Sequence, residues 1–474
     1  MYRGVRMIAG WPQKIRDAQN VGPISHASRL TRYNFGKARC RSRPEQMKPI
    51  HLTRSPISRR QFLQALGFLA TNTVLAAGRS LQASGADTHE NDGVEYGRNT
   101  LPRGVRSRRV DTHNGVVLHI LESGFEASGR PCVVLLHGFP ELAYCWRNQL
   151  LPLARAGFHV VAPDLRGYGR SVSRAVTFDD DLLPYSMLNR VGDVLGLVRA
   201  LGYEQVAAVV GHDWGGPTAQ WCARLRPDVF LSVVSVSTPF LGNPALPLDT
   251  GDNHRSQTPE VDIERELAAL PRPRRHYARY YATQGANEDM WHAPQGVHDL
   301  LREYYYFKSA DWTGNRPFPL KGWTAAELAK MPAYYIMDLD KGVAATMAEH
   351  APSPAQVAAC KWMTESDLQV YSREFQRTGF QGGLNYYRID GVFSPDSGLN
   401  AYSGKTIDVP ACYIGGSREW AVYQSPGSFE RMHTTCTRLE GVHLVRGAGH
   451  SLVEEQPEAV NRLLIEFLAH GRLS

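Results

Sequence analysis

The segment Gly211, His212, Asp213, Trp214, Gly215, Gly216 restricts the fold more than any other in the chain. It follows an apolar run at 206–210 and precedes a helix-forming stretch at 217–226, so it reads as strand, sharp turn, helix. The glycines let the backbone take a strained turn and let strand and helix approach closely, while residue 213 projects above the sheet edge. Such a turn is a nucleophile elbow, and the reactive residue at its tip is Asp213. A carboxylate attacks saturated carbon and leaves an alkyl ester on the protein, whereas serine would leave an acyl ester.

Three further strand-end loops carry groups that complete a site. The apolar run 133–136 ends in His137, Gly138, Phe139, Pro140 and Glu141, a loop that can aim the Phe139 amide at the same point as the Trp214 amide. Two converging backbone donors make an oxyanion hole. A strand at 442–445 runs into Gly447, Ala448, Gly449 and His450, and His450 is the expected base. A strand at 411–414 is followed by a loop holding Glu419, the acid expected to orient His450. The chain order nucleophile, acid, base is the one such a sheet requires. His212 is expected to serve packing or hydrogen bonding, not as a second base.

Through HGFPE at 137–141, GYGRS at 167–171, GHDWGG at 211–216 and GAGH at 447–450, residues 97–472 resemble the epoxide hydrolases of the α/β-hydrolase superfamily. The resemblance implies an α/β-hydrolase fold, a mostly parallel sheet flanked by helices with an inserted helical cap. It divides the chain into a leader (1–96), a first core part (97–238), a cap (239–400) and a second core part (401–474). It also implies two cap tyrosines that donate to the epoxide oxygen. Tyr277 in the run at 276–281 and Tyr387 in the run at 383–388 match those motifs, with Tyr280 the neighbouring alternative to Tyr277. The family commonly has Asp where this chain has Glu419; any anionic acceptor within reach of the imidazole meets the need. The implied reaction opens a small-molecule epoxide to a vicinal diol through an Asp213 ester, with neither a metal nor an organic cofactor. The nearest rival is a haloalkane dehalogenase, which shares the Asp-Trp pair but commonly places Asn at the position of Phe139. A hydrolase-like protein that only binds its ligand would most simply lack a member of the triad, and none is missing.

The net charge of +7 does not point to nucleic acid, because residues 1–60 hold 14 of the Lys and Arg against two acids and account for the whole excess. That segment reads as an address. Ser58, Arg59, Arg60, Gln61, Phe62 and Leu63 match a twin-arginine export motif, followed at 65–77 by an Ala- and Leu-rich stretch too short to span a bilayer comfortably. Export by the twin-arginine machinery to the periplasm or medium is the expectation, with a cytoplasmic enzyme the alternative if the leader is inactive. The seven cysteines show no metal-ligand spacing, and Cys132, Cys222 and Cys412 sit in apolar stretches as packing residues. Between 110 and 121, Asn114 and Gly115 signal a hairpin. Strands at 133–136, 159–162, 206–210 and 231–236 alternate with helices at 190–201 and 217–226. From 239 to 400 the pattern is helical, with segments at 324–330 and 353–376 and Thr364 as a helix cap.

Overall fold

The computed structural model of the chain describes residues 100–172, 174–240, 262–389 and 399–470. The leader at 1–96, with its arginine pair and the stretch at 65–77, lies outside them. Among the described residues no helix is long and apolar enough to cross a membrane.

Eight strands form one sheet, in the spatial order β1 (Arg106–Asp111), β2 (Val117–Ser123), β4 (His159–Pro163), β3 (Cys132–Leu136), β5 (Ala208–His212), β6 (Val233–Val236), β9 (Ala411–Gly416) and β10 (Leu439–Val445). The first three pair antiparallel and the remainder parallel. β1 and β2 turn back at the expected hairpin, where Gly115 takes φ 72°. Every residue of β3, β4 and β5 is buried. Unbroken burial needs cover on both faces, which is why these strands read as Val-rich runs without alternation. Helices α1 (Arg147–Arg155), α2 (Met187–Ala200) and α3 (Gly215–Leu225) supply the crossovers. The expected strand at 206–210 is displaced two residues along the chain, because Val206 pairs with Phe230 in an isolated bridge before β5 proper begins. The displacement carries β5 up to His212 and leaves Asp213 at the very end of the strand. Cys132, Cys222 and Cys412 are buried, as expected.

Between β6 and β9 the chain leaves the sheet. This insertion is mostly helical, with α4 (Ile263–Ala268), α5 (Tyr277–Tyr281), α6 (Gly285–Trp291), α7 (Gly296–Lys308), α8 (Ala325–Leu328), α9 (Val343–Ala348), α10 (Pro354–Ala359), α11 (Glu365–Thr378) and α12 (Gln381–Ile389). Two features depart from the sequence reading. A two-stranded antiparallel ribbon, β7 (Arg274–His276) against β8 (Ile336–Asp338), interrupts the helices. Three-residue strands are too short to show a period of two in sequence. The stretch 353–376 is two helices, because Thr364 ends the break between them: its hydroxyl accepts from the Asp367 amide, and Asp367 answers the Thr364 amide in a capping box.

The insertion is tied to the sheet by directed polar contacts. The Tyr305 hydroxyl donates to the Pro140 carbonyl at 2.6 Å, and Tyr386 donates to the Arg166 carbonyl at 3.0 Å. Gly382 backs onto Gly167 so closely that a Cβ on it would meet the Gly167 oxygen at 2.0 Å, which gives the GYGRS loop a structural role. Arg147, only 6% exposed, pairs with Asp367 of α11 at 3.1 Å and with Glu454 of α13 (Leu452–Glu455), and donates to the Trp362 carbonyl at 3.1 Å. Burial pushes Glu454 up to about 7 against the pull of this guanidinium. Removing one partner of such a pair strands the others. Arg147→Met is expected to lower the unfolding free energy by roughly 3–5 kcal/mol near neutral pH. The sign with pH follows from Glu454: a carboxyl raised in the folded state binds its proton there, so the deficit is smaller at about pH 5 and larger at about pH 8. Chemical denaturation at the two pH values checks both.

Candidate active site

The site lies at the carboxyl ends of the parallel strands. Asp213 follows β5 directly with φ 48°, a left-handed conformation that costs a non-glycine residue roughly 1–3 kcal/mol. The turn holds because its neighbours have no side chains. A Cβ on Gly211 would meet the Gly215 oxygen at 1.9 Å, and one on Gly138 would meet the Asp213 Cβ at 2.3 Å. The Phe139 amide donates to Asp213 Oδ1 at 2.9 Å. Oδ2 faces His450 Nε2 at 3.5 Å, and the Asp213 side chain is still 17% exposed. One carboxylate oxygen is thus held by backbone and the other is left toward His450. The Trp214 amide, the second expected donor, makes no hydrogen bond among the described residues.

His450 sits on the loop after β10, with its amide bonded to the Lys308 carbonyl at the end of α7 (3.0 Å). Its Nδ1 contacts Glu419 Oε1 at 2.6 Å, and Glu419 Oε2 accepts from the Gly416 amide at 3.2 Å. Nδ1 donating to a carboxylate leaves the Nε2 lone pair directed at Asp213, the tautomer a base requires. Burial first, and then the Lys308 ammonium, lower His450 below the ordinary histidine value, against the opposing carboxylates of Glu419 and Asp213. The ring is therefore neutral at neutral pH. The carboxyl of Glu455 accepts from both Gly449 (2.9 Å) and Ala310 (2.8 Å), so the His450 loop and the end of α7 are fastened together.

Tyr277 and Tyr387 come from opposite sides of the insertion and meet edge to face, their ring centroids 5.9 Å apart. Tyr387 also packs on the Trp214 ring at 5.0 Å and on Phe139 at 5.6 Å. Neither tyrosine hydroxyl is engaged by another group among the described residues. Tyr280 is occupied elsewhere, donating to Asp289 at 2.8 Å, which separates it from Tyr277 as a candidate. Burial, followed by the Asp213 charge, raises both Tyr277 and Tyr387 above the ordinary phenol range. They are proton carriers at neutral pH, not phenolates.

Two features are absent from the sequence reading. Glu141 and His212 form a buried pair: His212 Nδ1 contacts Glu141 at 2.7 Å and Nε2 contacts the His450 carbonyl at 2.8 Å. Burial alone favours a neutral His212 ring, but the Glu141 carboxylate outweighs it and lifts His212 to about 9, while Glu141 is held down at about 2. His212 is then a doubly donating cation that grips the backbone of His450, in line with the hydrogen-bonding role expected of it. Adjacency to Asp213 and the terminal Glu of HGFPE are the only sequence signals. The second is Lys308, 5% exposed, with its ammonium over the Tyr304 ring at 5.0 Å and bonded to that hydroxyl at 3.4 Å. A lone Lys closing an aromatic helix looks in sequence like a solvated end. Among the described residues no cluster of three or more His, Cys, Asp or Glu is placed to hold a metal ion.

Residues 131–455 match the family model described as the alpha/beta hydrolase fold. Over 373 residues the chain is 34% identical to epoxide hydrolase B of Mycobacterium tuberculosis, covering 76% of this chain and 97% of that one. It is 31% identical to epoxide hydrolase 2 of Siraitia grosvenorii, covering 75% and 96%. Among solved structures it is similar to an epoxide hydrolase from an endophytic Streptomyces, with a TM-score of 0.61 and 32% identity over 79% of this chain and 98% of that one. Potato (Solanum tuberosum) epoxide hydrolase I gives a TM-score of 0.57 and 28% identity, covering 77% and 99%.

Lys308 provides a test of the site's electrostatics. A nearby cation disfavours imidazolium, so Lys308→Met, which keeps the buried chain and removes the charge, is expected to raise the His450 pKa. Histidine-ring NMR titration of the variant against the parent reads the shift directly.

Proposed function

We propose that this chain, which belongs to the alpha/beta hydrolase fold family and within it to the epoxide hydrolases, opens its epoxide in two steps through an ester on Asp213. The observation that carries this reading is the division of labour at Asp213: Oδ1 tied to the Phe139 amide, Oδ2 free and facing His450. In the first step Oδ2 attacks one epoxide carbon. The strained C–O bond breaks, its electron pair goes to oxygen, and a proton from Tyr277 or Tyr387 neutralises the alkoxide. A phenol with an ordinary pKa of about 10 is a weak acid but sufficient for an alkoxide.

In the second step His450 Nε2 takes a proton from water, and the hydroxide adds to the Asp213 ester carbonyl. The charge then collects on Oδ1, where the Phe139 amide already points, and where one such donor is typically worth about 3 kcal/mol. Collapse releases the diol alkoxide, which the imidazolium protonates, and the proton left on the regenerated Asp213 carboxyl returns to the tyrosinate, restoring both groups. Glu419 holds the ring and stabilises its charge throughout. Phe139 turns its ring into Tyr281, Phe380 and Tyr387 and offers no polar side chain to a departing halide, so the structure supports the epoxide over the haloalkane reading.

A single turnover of a styrene-oxide-like epoxide in ¹⁸O-water is expected to leave label in the Asp213 peptide and none in the first diol. Label in the diol instead would mean direct attack by water. His450→Gln is expected to trap the ester, seen as an adduct mass on that peptide. Tyr277→Phe and Tyr387→Phe should each slow ester formation, on the order of 10²-fold. Stopped-flow quenching of Trp214, which packs on Tyr387, follows that step.

The export reading of the leader is also a proposal and rests on Arg59 and Arg60 within the twin-arginine match. Residues 1–96 fused to a reporter should be exported, and changing both arginines to lysine should retain the reporter inside the cell.

A further inference from the structure

Glu419 in the relay is one methylene longer than the Asp usual in the family the chain resembles. The extra bond adds a torsion that something must fix if the carboxylate is to stay on His450. The structure places a second donor on the same oxygen. Ser237 immediately follows β6, is fully buried and takes φ 70°. Its hydroxyl contacts Glu419 Oε1, the oxygen that also meets His450 Nδ1, and lies 3.2 Å from Nδ1 itself.

The direction of these bonds is forced. For Nε2 to accept a proton from water, Nδ1 must carry its hydrogen, and that hydrogen points at Glu419. Nδ1 then has no lone pair for the serine, so the Ser237 proton goes to Glu419. Three donors in all converge on the carboxylate: His450 and Ser237 on Oε1, and the Gly416 amide on Oε2 at 3.2 Å.

The backbone of Ser237 is arranged for this. A left-handed conformation persists in a non-glycine residue only where the surroundings over-determine it. Here β9 does so on both sides, since the Ser237 amide donates to the Ile414 carbonyl at 2.9 Å and its carbonyl accepts from the Tyr413 hydroxyl at 2.8 Å. Serine also stands where glycine would relieve the strain. A residue serving only as strand-end filler has no reason to be other than glycine at such a φ.

We propose that Ser237 is a positioning residue of the His450–Glu419 relay, whose hydroxyl fixes the torsion of the longer acid and shares its charge. The proposal rests on the Asp213 ester route. It acts on the second chemical step only, because ester formation does not use His450 as a base. His450 is also faced by Asp213 and His212 from the β5 turn, by Lys308 from α7, and by Glu141 behind His212. None of these touches the Ser237 hydroxyl.

The test uses Ser237→Gly and Ser237→Ala in the full chain, with ester formation and ester breakdown measured separately by stopped-flow fluorescence and quenched-flow mass analysis. Glycine removes the hydroxyl and the strain together, so Ser237→Gly is expected to fold at least as stably as the parent. Ester formation should stay close to the parent rate in both variants. Breakdown should slow roughly tenfold or more, the rate equivalent of one charge-assisted hydrogen bond. Its acid limb should move to higher pH, because Glu419 without the serine donor presents more of its charge to the imidazolium and stabilises it. A Ser237→Gly protein that breaks the ester down at the parent rate with an unmoved acid limb overturns the proposal and leaves the ester route standing. A parent enzyme in which His450→Gln traps no ester overturns both.

Discussion

Three carboxylates, Asp213, Glu141 and Glu419, are gathered at one end of the sheet, largely shielded from solvent, and the site depends on how unequally their charges are met. Glu141 has a cationic His212 and the Gly138 amide. Glu419 has His450, Ser237 and the Gly416 amide. The Asp213 carboxylate accepts one hydrogen bond among the described residues, from Phe139. A carboxylate rich in donors is stabilised and inert, and one poor in donors keeps its lone pairs for other work. The least satisfied of the three is also the most exposed, which suits it to the nucleophile's part in the proposed route.

The fold supplies that inequality by geometry. Glu141, Asp213 and Ser237 follow the adjacent strands β3, β5 and β6, Glu419 follows β9, and His450 follows β10, so the groups line the carboxyl ends of the sheet in that order. The insertion closes over them with aromatic rings instead of charges. Tyr277, Tyr281, Tyr387 and Phe139 pack edge to face, which excludes water and keeps the phenols protonated. Lys308 adds a second buried basic group beside His212, one whose proton affinity burial lowers against the pull of Asp213, Glu419 and Glu141, and through its carbonyl it also anchors His450. Insertion and sheet are therefore one electrostatic unit.

What the sequence made legible follows from which signals are local. Asp213 stood out because an elbow needs glycines at fixed offsets, and His450 because GAG at a strand end needs a loop residue after it. Glu419 followed from strand order. Ser237 carries no local mark: only its left-handed φ and the registry of β6 against β9 bring it to Glu419. Lys308 is similar, since a helix-terminal lysine is ordinarily solvated and becomes a buried cation only when the insertion folds back onto the sheet. The short β7–β8 ribbon and the break ahead of Thr364 escaped for the simpler reason that elements of three to six residues do not establish a period. Long-range packing decides these places, and periodicity does not encode it.

On the proposed ester route the arrangement also couples the two chemical steps. In the free enzyme the Asp213 charge opposes burial and Lys308 and raises the proton affinity of His450. On the ester route that charge disappears when the nucleophile is alkylated. The Lys308 ammonium and the dry surroundings then act on His450 with less opposition, so its proton affinity falls and the ring stays neutral. Glu419, fixed by its three donors, remains to receive the imidazolium when a water proton arrives. On the proposed route, alkylation of Asp213 therefore favours the neutral form of His450 at the step that needs a base. No conformational change is required for this coupling, because the two groups are 3.5 Å apart and the same lost charge governs both.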